Sequence, residues 1–434
     1  MKETPFFRTD AESPEAILFG LSTRGNQTAT ETLSELQQLA RAGQFRVAGC
    51  VVQQRRTPDP RSYVGRGKLE ELVELVEQTK AQAVICDDSL SPAQGRLIEQ
   101  TLKVPVLDRS ELILQIFASH ARSRQAKLQV ELAQLVYQLP RLKRLWTHLE
   151  RQRGGIGLRG GAGEKQISLD RSDLRSRISQ AKRKLKQIEE RKSREVSSRA
   201  DQFGIAIVGY TNAGKSTLMN RLTNAGVPAE NQLFSTLDTR TRPWRLPGGR
   251  TVLLSDTVGF IDKLPHELVA SFHATLEEAL QADLLLVVLD ASSPDAAKQL
   301  SIVEQVLDHL GAANIPQICI LNKADTITDH SMLASIYAEE PNAVTISAIT
   351  GDGIDKLEIE LQAHLANCGR KVEILVPHSA GGLQGEIHRL TTVLSELYTP
   401  EGCLMECLVS PRLLGQILAK GARIHDNPPP VEPS

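Results

Sequence analysis

Apolar runs of strand length alternate with amphipathic helical stretches through the first quarter of the chain. AILFGL (16–21), QFRVAGCVV (44–52), AQAVICDD (81–88) and VPVLD (104–108) read as strands, while 29–42, 66–79 and 91–102 carry helical periodicity. Strands separated by helices pair in parallel through crossovers, so residues 1–108 are expected to form an N-terminal α/β domain. The period changes at Arg109. Leu128, Leu132, Leu135, Leu139, Leu142 and Leu149 line one face of a long helix, and Leu174, Ile178, Ala181, Leu185 and Ile188 line one face of another. Pro140 should kink or end the first. Between the two stripes, GGIGLRGGAG (154–163) holds six glycines in ten residues, so 109–196 reads as an antiparallel helical hairpin with a flexible tip.

A polar linker, SSRADQ (197–202), precedes a second alternation. IAIVG (205–209), TVLLSD (251–256), LLLVVLD (284–290), QICILN (317–322) and AVTIS (343–347) are near-continuous apolar runs, as strands buried on both faces require. They predict a three-layer, mostly parallel α/β domain over 203–367. KVEILVP (371–377), a helix over 383–397 and CLMECLVS (403–410) predict a small strand-helix-strand α/β unit over 371–426, followed by a disordered tail, 427–434. The fold class is therefore multidomain α/β.

Composition narrows the class further. The 434 residues are 41% apolar and 24% charged, which excludes a wholly disordered, collagen-like or disulfide-scaffold protein. The six cysteines lack paired metal-site spacing and are expected as reduced core thiols. No apolar run reaches membrane-spanning length and the N-terminus lacks a signal core, so a cytoplasmic location is expected. The net charge of −1 conceals a strong asymmetry: residues 120–199 hold 21 Lys/Arg against 8 Asp/Glu, a net of +13, and the remainder carries −14. Local charge density governs association with polyanions, which makes the hairpin a candidate RNA-binding element.

The second domain carries the chemistry. GYTNAGKS (209–216) fits the phosphate-loop spacing, follows a strand and opens a helix. Backbone N–H groups of Gly209, Tyr210, Thr211, Asn212, Ala213, Gly214 and Thr217 should face phosphates, Lys215 should neutralise the β and γ oxygens, and Ser216 should ligate Mg²⁺. DTVG (256–259) ends the next core strand. Asp256 should hold Mg²⁺, Thr257 lies in the same loop, and the Gly259 N–H should meet the γ-phosphate. NKAD (322–325) selects the base. The Asp325 carboxylate only accepts hydrogen bonds and can take two from guanine, which adenine cannot supply. Asn322 and Lys323 should brace the base and the phosphate loop, and Ser347 and Ala348 should offer N–H groups to guanine O6. GTP is thus the expected substrate and Mg²⁺ the expected cofactor. A switch threonine belongs in 225–250, where Thr236, Thr239 and Thr241 compete.

These motifs, with LDRSELILQIFASHARS (107–123), KLQVELAQLVYQLPRL (127–142) and GAGEKQISLDRS (161–172), closely resemble the HflX family of the Obg–HflX GTPases from about residue 10 to residue 425. The resemblance implies the same four-part organisation and selects Thr236 as the threonine that closes on Mg²⁺ and γ-phosphate. It also implies binding to the large (50S) ribosomal subunit, with the hairpin touching ribosomal RNA near the peptidyl transferase centre, and separation of stalled ribosomes or a part in subunit biogenesis. The family usually reads TLDPT where this chain reads TLDTR, so Thr239 replaces a proline.

Lys215, Thr236 and Gly259 are accordingly the expected catalytic residues, and Ser216, Thr236 and Asp256 the metal ligands. Arg151, Arg153, Arg159 and Lys165, around the glycine-rich tip, are the expected RNA contacts. Phe260 follows DTVG where many related GTPases place a glutamine that orients water, so slow intrinsic hydrolysis is expected, raised by a partner. His266 and His273 are better read as structural than as general bases. VGRGKLEEL (64–72) reads as a helix-capping turn rather than a second phosphate loop. Rival readings are an RNA-remodelling ATPase built on the N-terminal domain and a nucleotide-sensing module whose turnover is irrelevant. A monomer is expected.

Overall fold

The architecture comes from a computed structural model that describes residues 13–22, 33–142, 161–197, 203–223, 233–234, 240–247, 249–263, 282–327, 333–367, 370–409 and 411–425. Two compact units emerge. One comprises residues 1–190 with 230–238 and 261–274; the other comprises 191–229, 239–260 and 275–434.

The first unit contains a four-stranded parallel sheet, β1 (Glu15–Ser22), β2 (Arg46–Gln54), β3 (Ala83–Cys86) and β4 (Val106–Asp108), in the order β2-β1-β3-β4. β1 and β3 are almost wholly buried, which accounts for their unbroken apolar sequences. Helices α1 (Ser34–Ala42), α2 (Arg66–Thr79) and α3 (Pro92–Leu102) make the crossovers. The start of α3 is set locally: the Ser91 hydroxyl accepts from the Gln94 N–H, the Gln94 side chain accepts from the Ser91 N–H, and Pro92 needs no donor of its own there. Lys80 and Lys103, both at positive φ, close α2 and α3.

The long helix expected from Arg109 is two helices. α4 (Arg109–His120) buries Leu112, Ile113, Ile116 and Phe117 and packs on β3, β4 and α1, so it is a layer of the sheet domain. The chain then breaks at Ala121, and Ser123, whose hydroxyl accepts from the Ala126 N–H, caps α5 (Arg124–Gln138). Pro140 ends α5 in a 3₁₀ turn, Leu139–Arg141. α6 (Gly161–Ser197) runs back along it. Leu128, Leu132 and Val136 meet Ile178, Ala181 and Leu185, and Leu135, Leu139 and Leu142 meet Leu174 and Ile178. The opposite residue order on the two helices shows the seam to be antiparallel. Gly161, Ala162 and Gly163 open α6 instead of belonging to the glycine-rich tip. Lys165 lies on α6, whereas Leu149, Arg151, Arg153, Arg159 and the rest of the tip lie outside the described residues.

The second unit is built on a six-stranded sheet: β5 (Gly204–Gly209), β6 (Arg240–Arg245), β7 (Thr251–Asp256), β8 (Leu284–Asp290), β9 (Gln317–Asn322) and β10 (Val344–Thr345), ordered β10-β9-β8-β5-β7-β6. All neighbours are parallel except β6 and β7. β6 falls within 225–250, where no strand was read from the sequence, because RTRPWR carries three arginines and a proline. At the sheet edge a proline costs no central ladder bond, and Trp244 anchors the strand by burying its ring in the core with Val252 and Leu254. Helices α7 (Lys215–Thr223), α8 (Ala296–His309), α9 (Leu333–Glu339) and α10 (Ile354–Asn367) cover the faces.

The C-terminal part of this unit differs from the strand-helix-strand expectation. β11 (Arg370–Pro377), β12 (Thr392–Thr399), β13 (Gly402–Val409) and β14 (Arg423–Ile424) form an antiparallel sheet ordered β12-β13-β11-β14, with α11 (Gly381–Leu390) and α12 (Pro411–Ala419) against it. TVLSELYT, expected as the second half of a helix, is edge strand β12. Its apolar side chains misled the periodicity because Leu394, Leu397 and Tyr398 face solvent, and the pairing with β13 decides its conformation. Cys86, Cys319, Cys403 and Cys407 are buried free thiols, and burial pushes Cys319 up to about 12. Among the described residues no helix is long and apolar enough to cross a membrane.

Candidate functional site

Strand order places the site. β7 lies on one side of β5 and β8 on the other, so the crossovers leave β5 in opposite directions and open a crevice at the carboxyl ends of the strands. The segment 209–216 turns there between β5 and α7. Gly209 (φ 146°) and Gly214 (φ 94°) allow it: a Cβ at Gly209 would lie 2.1 Å from the Val288 carbonyl oxygen, and one at Gly214 would lie 2.2 Å from Asn322 Nδ2. Asn212 also has positive φ (60°). Lys215 folds back over this loop, its ammonium donating to the carbonyls of Gly209 (3.0 Å) and Tyr210 (2.7 Å). Burial pulls the Lys215 ammonium down to about 8, against the opposing pull of the Asp256 carboxylate.

Ser216 and Asp256 come from different elements and meet: the Ser216 hydroxyl donates to Asp256 Oδ2 at 2.7 Å. Thr257 is fully buried and spends its hydroxyl on the Ile207 carbonyl (2.7 Å), fastening the DTVG loop to the central strand. Gly259 lies directly under the lysine. A Cβ there would stand 2.8 Å from Lys215 Nζ and 3.0 Å from Thr211 Cα. Phe260 then zips to the loop, its N–H donating to Gly209 O (3.0 Å) and its carbonyl accepting from the Thr211 N–H (2.7 Å). The Phe260 ring is only 2% exposed, so an apolar side chain occupies the position and points into the protein. Gly259→Ala should therefore displace the DTVG loop from Lys215. Single-turnover GTP hydrolysis should fall by about 100-fold, the scale of losing an aligned backbone donor, and GDP affinity measured in parallel should fall less, because GDP has no γ-phosphate for Gly259 to meet although the added Cβ also presses on Thr211 and Lys215 of the phosphate loop.

The second half of the site is a brace across β8, β9 and β10. Asn322 is 2% exposed and holds both loops at once: Nδ2 donates to Ala213 O (2.8 Å) and Oδ1 accepts from the Ala348 N–H (2.9 Å). Asp325 Oδ1 accepts from the Ser347 hydroxyl (2.6 Å), which in turn accepts from the Thr350 N–H (3.1 Å). The Ser347 N–H donates to Asp352 O (2.9 Å). The N–H groups of Ser347 and Ala348, expected to face a base, thus both have acceptors inside the protein in this conformation, and the loop must rearrange if either is to donate elsewhere.

Two contributors escaped the sequence reading. Asp290, at the end of β8, takes the Lys323 ammonium at 2.6 Å and fixes its own carboxylate through the Ser292 N–H and hydroxyl; Lys323 sits in the left-handed region, φ 65°. Its signal was present, a carboxylate closing a buried apolar run at the carboxyl edge of a parallel sheet. Arg221, on α7, donates to the Thr350 carbonyl and so supports the loop that carries Ser347. No local signal marks it. Of the three candidate switch threonines, Thr241 is spent on β6, where its hydroxyl pairs with that of Ser255 (2.9 Å). Thr236 and Thr239 lie outside the described residues, as do His266 and His273.

The other glycine-rich candidate resolves as a turn. Gly65 precedes α2, donating its N–H to the Gln53 side chain at 2.7 Å.

Chemically, the crevice combines a backbone cradle and a buried ammonium, a hydroxyl–carboxylate pair of hard oxygen donors, and an acceptor-only carboxylate on a rigid brace. The chain is similar to known GTPases. Residues 30–118 match the family described as GTP-binding GTPase N-terminal, 120–199 the GTP-binding GTPase middle region and 204–323 the 50S ribosome-binding GTPase. A GTPase HflX of Magnetococcus marinus is 42% identical over 375 residues, 85% of this chain and 87% of the relative. One of Escherichia coli is also 42% identical, over 86% of this chain and 88% of the relative. A solved GTP-binding protein of Sulfolobus solfataricus in complex with GDP is 25% identical over 81% of this chain and 98% of that one, with a TM-score of 0.42.

Proposed function

The chain belongs to the HflX family of GTPases, and from that premise we propose that it is a GTP-gated factor of the large ribosomal subunit, which separates stalled ribosomes or assists subunit assembly. GTP binding and hydrolysis follow from the family. The finer assignment concerns which residues act and on what partner.

The observation that carries it is the single buried side chain of Asn322 tied to both the phosphate loop and the Ser347–Ala348 loop, with Lys215 at one end of the crevice and Asp325 at the other. Backbone N–H groups of the 210–217 loop, apart from those of Thr211 and Ala213, which donate to the Phe260 and Tyr210 carbonyls, receive the phosphates together with Lys215. Asp325 accepts the two donors of guanine, and Asn322 and Lys323 hold its geometry. Ser216 Oγ and Asp256 Oδ2, 2.7 Å apart, are hard oxygen donors that fit Mg²⁺, with Thr236 as the further ligand. Bound there, Mg²⁺ supplies charge neutralisation on the β and γ oxygens. Gly259 offers its N–H to the γ-phosphate, so that Thr236 and the DTVG loop report whether that group is present.

The buried, apolar Phe260 can neither accept nor donate the hydrogen bonds that orient water, so slow turnover is expected of the isolated protein. Steady-state turnover should rise at least about tenfold on adding purified large subunits, a modest fraction of what an aligned polar group can supply; equal rates with and without subunits would refute the partner-completed site. Sedimentation of intact ribosomes with the protein and GTP or GDP separates the two cellular roles, since only a splitting factor shifts them to free subunits.

The hairpin supplies the RNA contact. Arg151, Arg153 and Lys165 flank the glycine-rich segment and Arg159 lies within it, in the region that holds the chain's net positive charge. Replacing these four with Ala should weaken cosedimentation with large subunits and flatten its salt dependence.

A further inference from the structure

The far end of the hairpin from its glycine-rich tip carries a second concentration of charge. Arg122, Arg124, Lys127, Leu128, Glu131 and Lys184 line one open cavity of about 500 Å³. Arg122 sits in the turn before α5, the next four lie on the first two turns of α5, and Lys184 comes from α6. The seam dictates this grouping: Leu128 and Leu132 pack against Ala181 and Leu185, which brings Lys184 over the start of α5.

Four cations share this groove with one carboxylate, and that carboxylate is already engaged, since Glu131 accepts from Arg177 at 3.1 Å on the neighbouring turn of α6. Among the described residues, none of Arg122, Arg124, Lys127 and Lys184 has an acidic partner within ion-pair distance. All four are exposed. Like charges crowded around a concavity repel one another, and a polyanion relieves that repulsion while releasing its own counterions. The basic surface also continues beyond the groove: Arg171, Arg175, Lys182, Arg183, Lys186 and Arg191 are all exposed along α6.

We infer that this groove is a second nucleic-acid contact, gripping the phosphodiester backbone of RNA at the root of the hairpin. It rests on the large-subunit reading above but engages a different surface. Lys165 and Lys184 are separated by about 28 Å of helix at 1.5 Å per residue, so root and tip cannot share one phosphate and must touch separate stretches of RNA. Leu128 gives the groove an apolar floor against which a ribose can lie, and the four cations, with no amide or hydroxyl side chain beside them in the lining, are set to meet phosphate oxygens. The recognition is therefore of backbone and shape, not sequence.

The test uses the full chain with a GTP analogue and purified large ribosomal subunits, and records log Kd against log salt. Arg122→Gln, Arg124→Gln, Lys127→Gln and Lys184→Gln together should weaken binding at least about tenfold near physiological salt and lower the salt slope by about two to four, one contact per phosphate lost. Thermal unfolding and turnover without ribosomes should be unchanged. Lys127→Gln with Lys184→Gln serves as a milder variant and should give an intermediate slope. If the wild type itself fails to bind subunits, the large-subunit reading falls; if it binds and the quadruple variant binds with equal affinity and slope, the groove is a solvated face and this inference falls. Competition by millimolar inorganic phosphate as effective as by RNA, or capture by phosphatidylglycerol vesicles without RNA binding, would likewise overturn it.

Discussion

An Asp325→Asn variant should lose GTP affinity by about 100-fold or more and gain affinity for xanthosine triphosphate, because the exchange inverts one hydrogen bond and weakens the other. Guanine presents two donors side by side, its ring N–H and exocyclic amine, and a carboxylate accepts both with charge assistance of about 1.5–3 kcal/mol each. An amide keeps one acceptor and turns a donor toward the amine, which leaves both groups unsatisfied in a confined site. Xanthine carries a carbonyl where guanine has the amine, and matches the amide. The scaffold should not change: the Ser347 hydroxyl, 2.6 Å from Oδ1, can donate to an amide oxygen as well, and Asn322 continues to hold the Ala213 and Ala348 loops. Competition of GTP, xanthosine triphosphate and ATP against a fluorescent GDP analogue reads the result. A variant that still prefers GTP, with Kd within about threefold of wild type, would remove Asp325 from the base site.

The second large effect is on stability. Arg109→Met should cost the first unit about 3 kcal/mol, the lower end for breaking a buried ion pair from one side. Arg109 is 2% exposed, donates to Asp87 Oδ1 at 2.9 Å and pairs closely with Glu35. Asp87 is 12% exposed and keeps Lys263 (2.7 Å), while Glu35, 30% exposed, can turn toward water, which is why the upper end is not expected. Burial lowers the Lys263 pKa, but the carboxylates of Asp87 and Asp88 outweigh it and hold the ammonium above its ordinary value. Amide hydrogen exchange across β1 and β3 under mild denaturant measures the loss locally, without requiring the whole chain to unfold in one step. Asp87→Asn added to Arg109→Met should recover part of the loss, since the double variant strands one carboxylate fewer. Protection within about 1 kcal/mol of wild type would show that the network is solvated and dispensable.

Much of this protein was legible one residue at a time. Strands β7, β8 and β9 fall where their apolar runs end, and α2 spans the periodic segment 66–79, because burial on both faces of a parallel sheet, or on one face of a helix, writes itself directly into residue type. The errors are where a partner strand or a cap decides. RTRPWR becomes β6 through a neighbour and one buried tryptophan, TVLSELYT becomes β12 through β13, and the helix from Arg109 divides because Ser123 offers an oxygen to a backbone donor.

The candidate site divides in the same way. Residue type and order alone marked Lys215, Ser216, Asp256, Asn322 and Asp325, since phosphate, metal and base each demand a chemistry that few side chains can offer at that spacing. Only the folded chain shows that Asn322 joins two loops, that Asp290 and Arg221 stand behind them, that Phe260 is turned inward, and that four cations from a turn and two helices line one groove. Local chemistry is encoded locally, but contacts between residues far apart in the chain exist only once the sheets and the helical seam have set their register.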